Sequence, residues 1–320
     1  MVTTSPSEPL LAEAARKLWE KPWFNAPLSL LDHISHPSLD SGDRGEVVAT
    51  LLLLLAADKV RGSNDNVFND PVTKHKDDGS ARVFQAFKFL STLIRCTRTT
   101  GQLEGLLPSV YKVGDENVTL RDALKDYSMW FNHIVKVRSL ACIQASHLWE
   151  YGCRGAAVLC ASNQEGVDIV LPMFKAGRVG SAFVSAILIQ VKNESIYSTV
   201  RPHLFDRMTP VDTLNASTEH PFIRLVFSFD VDSAEVGVHL RGPSSLPQAA
   251  RSEYTAYDIW LSGAKSSTFG VIPSKASPED ASYTTELEKE ENAYEKLLAL
   301  ARQPGNFFKH TVPTQIAVIH

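Results

Sequence analysis

Hydrophobic and polar positions follow two different rhythms along the chain, and the change falls near Gly152. Before it, apolar residues recur every three to four positions. Leu10, Leu11, Ala14, Ala15 and Leu18 predict a short helix over 10–19, and Pro22 and Pro27 break the pattern after it. From Ser41, Asp43-Arg44-Gly45-Glu46 leads into Val47, Val48 and five consecutive leucines, Leu51 to Leu55. Apolar side chains then point all round, so this second helix is expected to be buried on most sides. Residues 62–80 are polar and rich in Gly, Asn and Asp, which marks a surface loop. Val83, Phe84, Phe87, Phe89, Leu90, Leu93 and Ile94 predict a helix over 82–96. The segment 119–149, with Leu120, Leu124, Tyr127, Trp130, Phe131, Ile134, Val135, Leu140 and Ile143, is nearer period 3.6 than period 2 and is also expected to be helical.

After Gly152 the runs become short, apolar and bounded by Gly, Asn, Ser and Pro, as strands are. They cover 156–160, 167–171, 184–191 and 222–231, with weaker ones at 236–240 and 257–261. Their near-continuous hydrophobicity predicts a sheet covered on both faces. Residues 242–252 resemble a linker, and 278–302 carry acids and leucines in an order that predicts an amphipathic closing helix. The economical description is one compound α/β domain. It has an appendage over 1–40, a mainly helical region over 41–150, a β-sheet core over 151–275 and a C-terminal helix and tail over 276–320.

Composition changes this picture little. A net charge of −4 gives no generally basic surface, so contact with a nucleic acid would have to rest on a local cluster. Cys96, Cys142, Cys153 and Cys160 form no Cys-x-x-Cys pair of the kind structural zinc needs, and are expected to be reduced and mostly buried. The first residues lack a basic start followed by an apolar run, and 47–57 is too short to cross a bilayer, which needs ~20 residues. An intracellular protein without a membrane partner is expected. No Gly-x-x-x-x-Gly-Lys-Ser/Thr loop and no Gly-x-Ser-x-Gly elbow occur, which argues against a nucleotide cofactor and against that hydrolase class.

The chemistry concentrates between Gly166 and Lys192. Strand alternation gives Gln190 and Lys192 a common face with Val184, Ala186 and Leu188, ~6–7 Å apart, so two polar groups end an otherwise apolar face. A return from the preceding strand would bring Asp168 beside them. A carboxylate, an amide oxygen and an ammonium group would then converge, as metal-assisted phosphodiester hydrolysis requires. Asp168 would hold Mg²⁺, with the Gln190 oxygen and the Val191 carbonyl as additional ligands, and Lys192 would orient water and offset charge on the phosphate. Glu46 is the leading candidate for a second acid, ahead of Glu165, Glu194 and the pair Asp230 and Asp232. The alternative role for Glu46 is a capping box with Asp43. His133 is expected to be an ordinary packed or surface residue of a helix.

An acid on an early helix, then Asp168 on a strand, then Gln190-Val191-Lys192 on the next, resembles the PD-(D/E)XK nuclease superfamily, and its Mrr-like branch in particular. Arg44-Gly45-Glu46, Trp130-Phe131-Asn132-His133, Arg154-Gly155-Ala156 and Leu188 to Asn193 also look like fungal Crinkler-type and transposon-associated nucleases. The resemblance covers about half of the chain. It implies a restriction-endonuclease-like αβββαβ core, a mixed sheet flanked by helices, with a helical N-terminal elaboration. It further implies Mg²⁺ or Mn²⁺, DNA as partner, residence in the nucleus or cytoplasm, and an oligomeric state left open. The expected catalytic set is Asp168, Gln190, Lys192 and Glu46, and the expected metal ligands are Asp168, Gln190, Val191 and Glu46. Gln190 stands where an acid is commoner, which keeps a second role in view, that of an inactive nuclease fold binding protein or nucleic acid.

Overall fold

The leucine-rich run does form a long helix, α1 (Ser41–Arg61), and the reason is burial: Val48, Leu51, Leu52, Leu53, Ala56, Ala57 and Val60 are all at most 3% exposed. Fully burying each of the larger ones stabilises the fold by about 1.5–3 kcal/mol. This computed structural model describes residues 12, 14, 15, 17, 29, 30, 41–62, 83–95, 100–161, 164–231, 236–243, 251–272, 296 and 297. The predicted N-terminal helix, the 62–80 loop, the 242–252 linker and the closing helix over 278–302 lie largely outside these residues. Leu297, from the last of them, is helical and wholly buried in the core.

After α1 come β1 (Phe84–Gln85), α2 (Ala86–Leu93), α3 (Thr100–Glu104), α4 (Leu120–Leu124), β2 (Tyr127–Met129), β3 (His133–Lys136) and α5 (Ala145–Cys153). They are succeeded by β4 (Ala156–Leu159), β5 (Ile169–Lys175), β6 (Val184–Lys192), α6 (Pro202–Asp206), α7 (Pro210–Leu214), β7 (Pro221–Ser228), β8 (Gly237–Arg241) and β9 (Thr255–Ser262). The helix expected over 119–149 has to be corrected: only its two ends are helical, and β2 and β3 occupy the middle. His133 accordingly sits on a strand, not a helix. Tyr127, Ser128 and Met129 are all buried, so β2 shows no alternation that would betray a strand.

Among the described residues the strands form one mixed nine-stranded sheet in the order β1-β2-β5-β6-β7-β9-β8, with β3 pairing β4 and β4 pairing β5. β4, β5 and β6 run as an antiparallel meander, and β6, β7 and β9 are mutually parallel. One edge of β5 is shared: β4 pairs with Ile169 and Val170, β2 with Phe174 and Lys175, and Pro172, which lacks a donor, falls in the gap. Helices cover the sheet on both sides, as the apolar runs predicted. Ile187, Ile189 and Val191 of β6 enter the core shared with α1 and α2, while Val184, Ala186 and Leu188 enter the core shared with Leu148, Leu204, Phe205 and Leu214. β6, like β5, β7 and β9, therefore contributes to both cores. Among the described residues no helix is long and apolar enough to cross a membrane.

Two glycines set the approach of helices to the sheet. At Gly45 a Cβ would stand 3.1 Å from the Asn193 Cβ and 3.2 Å from a Val191 methyl, so the first turns of α1 lie directly on the end of β6. At Gly166 φ is +92°, and a Cβ would lie 2.5 Å from the Arg207 carbonyl, where the α6–α7 connection passes over the turn before Asp168.

Candidate functional site at the ends of β5 and β6

The polar residues singled out in the sequence meet where β5 begins and β6 ends. Ile169 pairs with Ile189 in the antiparallel ladder, and the Asp168 N–H donates to the Ile189 carbonyl at 2.8 Å. One step further, the Asp168 side chain takes over from the backbone: its Oδ2 accepts the Val191 N–H at 2.6 Å. The 22-residue separation from Asp168 to Gln190 needs no special loop. It is consumed by two long strands, the turn at 176–180 and a short 3-10 segment, Ser181–Phe183.

Asp168 is therefore held at the margin of an apolar environment. Burial pushes its carboxyl above the ordinary carboxylate range, and this outweighs the opposing effects of the Val191 N–H and of the Lys192 charge. Lys192 acts on Asp168 without forming an ion pair with it. The Lys192 Nζ also lies over the Tyr197 ring, 5.4 Å from its centroid. Gln190, 4% exposed, continues the β6 face toward Lys192, and its Oε1 is buried with no hydrogen-bond partner. An unsatisfied buried amide oxygen costs about 1–3 kcal/mol, so it is a group waiting for a donor or a cation.

Glu46 comes to the same end of the sheet from the other face. α1 is already under way at Ser41, so Asp43 lies within its first turn and cannot act as the N-cap of a box with Glu46. Glu46, half-buried, acts on a shared neighbour. The Cys160 thiol is pushed up chiefly by burial, then by the Asp168 charge, with a smaller push from Glu46, against a hydrogen bond from Gln164. The Cys160 N–H also donates to the Asp168 carbonyl at 2.7 Å, tying β4 to the same point. Of the alternative acids, Glu165 is engaged by Arg207 and Glu194 is exposed. Asp232 lies outside the described residues.

Sequence reasoning missed several neighbours. Cys160 and Asn193 gave no signal beyond their position at strand ends. Tyr197 and Arg201 belong to a connection without periodicity, and only their spacing from Lys192 could have drawn attention. Of the cysteines, Cys160 is buried as expected, whereas Cys142 is half-buried and Cys153 exposed, and Cys96 lies outside the described residues. Among the described residues no group of three or more His, Cys, Asp or Glu side chains is placed to hold a metal ion, so a cation here would depend on Asp168 together with the Gln190 amide and backbone oxygen. Comparisons with protein-family models, with curated proteins and with solved structures found no match to this chain.

Proposed function

We propose that this protein is a Mg²⁺- or Mn²⁺-dependent nuclease that hydrolyses phosphodiester bonds of DNA at the β5–β6 strand ends. The observation that carries this most directly is the hydrogen bond from the Val191 N–H to Asp168, which sets the carboxylate across from Gln190 and within the influence of Lys192. The chain order adds support. The mixed sheet flanked by helices, with the β4–β5–β6 meander followed by a helical crossover to the parallel β7, is compatible with the core that the resemblance implies, although β1, β2 and β3 stand between α1, which carries Glu46, and β4.

The donors present fit a hard divalent cation. Asp168 has one oxygen occupied by the Val191 N–H and a second left for a ligand, and the Gln190 oxygen lacks a partner. Asp168, Gln190 and the Val191 carbonyl would hold the ion, with Glu46 as the further acid. When bound, such an ion polarises the phosphate and lowers the pKa of coordinated water. The Val191 N–H fixes the Asp168 carboxylate rotamer, so little ordering remains to be done on binding. Lys192 places a positive charge beside Asp168, where it orients the attacking water and offsets negative charge growing on the phosphate. The apolar strands on either side keep bulk water from screening these charges.

Incubating the protein with plasmid and linear DNA in Mg²⁺, Mn²⁺ or EDTA tests this. Cleavage should require the metal and fall at least about a hundredfold in Asp168→Ala and in Lys192→Ala. Equal cleavage by wild type and both variants would remove the assignment. Tight DNA binding without cleavage under any metal would favour the catalytically silent binding role, which the absence of a three-residue acid, His or Cys cluster among the described residues also suits.

A further inference from the structure

The β6–β7 connection leaves β6 at Lys192 and carries Tyr197 and Arg201 back over it. The Tyr197 ring carries two cations, with the Lys192 Nζ at 5.4 Å and the Arg201 Cζ at 5.4 Å from its centroid. The two positive centres are thus at most about 11 Å apart, sharing one aromatic platform. The platform is anchored, because the Tyr197 carbonyl accepts the hydroxyl of Ser228, a wholly buried residue at the end of β7, at 2.6 Å. The Phe229 N–H bonds the Lys192 carbonyl at 2.9 Å, fixing the other end of the arrangement.

The charges around this ring are unbalanced. Arg207, six residues beyond Arg201, is paired with Glu165, and Lys112 with Glu219, whereas among the described residues neither Lys192 nor Arg201 forms an ion pair. Glu194 is exposed and pairs with neither. A ring quadrupole can hold two cations side by side, but it neutralises neither. An arriving anion would do so, and successive phosphates of one nucleic-acid strand supply negative charges at a spacing two such cations can span.

We infer that Lys192 and Arg201, mounted on Tyr197, form a two-cation clamp for neighbouring phosphates of a DNA strand, with Lys192 at the phosphate to be cleaved and Arg201 at the next. Tyr197 is a positioning residue in this arrangement, acting through the two cations it carries. The clamp rests on the nuclease assignment for its choice of DNA, but its test does not depend on cleavage.

The measurement is the salt dependence of binding to a short fluorescent DNA duplex, followed by anisotropy in EDTA so that nothing is cut. Removing one phosphate contact lowers the slope of log affinity against log salt by about 0.9. Arg201→Gln should therefore lower the slope by about one, Tyr197→Leu by about one to two, and Tyr197→Phe, which keeps the ring, by nothing measurable. Circular dichroism of each variant separates these effects from misfolding. An unchanged slope in a folded Arg201→Gln protein overturns the clamp, as does a Tyr197→Phe protein as impaired as Tyr197→Leu, or a wild type that does not bind DNA. Slopes as expected, with no cleavage under any divalent metal, would uphold the clamp and remove the nuclease assignment instead.

Discussion

Asp168 is a residue whose local cost and proposed use have the same origin. Its carboxyl is raised by burial, so its proton is held more tightly in the folded chain than in the unfolded one. Stability is then lowest above the folded pKa, where the charge must be buried, and is regained as pH falls through that value. Asp168→Asn keeps an acceptor for the Val191 N–H but removes the buried charge. It should melt higher than wild type at neutral pH, by on the order of 2–4 °C per kcal/mol relieved, with the difference shrinking as pH falls. A thermal melt across pH reads this, and a variant that melts lower than wild type at every pH would contradict it. The same raised pKa means that divalent binding should weaken on acidification already above the ordinary carboxylate range, which calorimetric titration of the metal at several pH values would show. Gln190→Glu should tighten that binding about tenfold, which corresponds to about 1.4 kcal/mol, by adding a second charge where the orphaned amide oxygen now stands. At this scale the sequence was informative. Alternation alone put Gln190 and Lys192 on one face, but the pairing that brings Asp168 across from them is a property of the β5–β6 register. Tyr197 and Arg201 act through a contact that no local pattern records.

Among the elements, α1 and β6 were legible because each is apolar over most of its length, and β2 and β3 were not. The residues of β2 are buried on both faces, and β3 is short, so apolar positions across 127–136 fall at intervals that imitate a helix. Only the ladder partners decide the matter: Tyr127 and Ser128 pair with the far end of β5, and His133 to Lys136 with β4. The contact between α1 and β6 makes a sharper prediction. Gly45 has room for a Cβ only if Val191 or Asn193 yields by a few tenths of an ångström. Gly45→Val should therefore destabilise the fold by about 1–3 kcal/mol in chemical denaturation and move Glu46 away from the strand ends, lowering metal affinity as well. Gly45→Ala should do far less. If the Val variant retained both stability and affinity, the close packing of α1 on β6 would not be what positions Glu46.

On the scale of the whole molecule, the parallel half of the sheet is held by a charge arrangement quite unlike the candidate site. Arg224 of β7 is 1% exposed and makes a bidentate pair with Asp258 of β9, at 2.6 and 2.9 Å, while Arg241 of β8 adds a third contact at 3.2 Å. The Arg224 guanidinium also donates to the Phe205 carbonyl of the crossover at 2.9 Å. Asp258→Ala leaves two guanidinium groups buried without their carboxylate and should cost about 3–5 kcal/mol. The double variant Arg224→Met, Asp258→Leu should cost less than that single change, and urea denaturation of the two compares them directly. Nothing in the sequence marked this pair, because Arg224 and Asp258 are 34 residues apart and become neighbours only through the β7–β9 register.

The division of the sheet into an antiparallel meander and a parallel half also has a temporal meaning. β5 and β6 close on each other through a turn of a few residues, whereas β6 meets β7 only after the crossover and β7 meets β9 only across β8. Contacts between residues distant in sequence are slow to form, since the loop must be closed before they contribute. During refolding, amide protection should therefore arise in β5 and β6 before β7 and β9. Asp168, Gln190 and Lys192 would come into register early, and the ring that carries Arg201 would settle over them only when Ser228 has docked. A newly made chain would thus pass through a stage in which Asp168, Gln190 and Lys192 are already in register while Tyr197 and Arg201 have yet to settle over them.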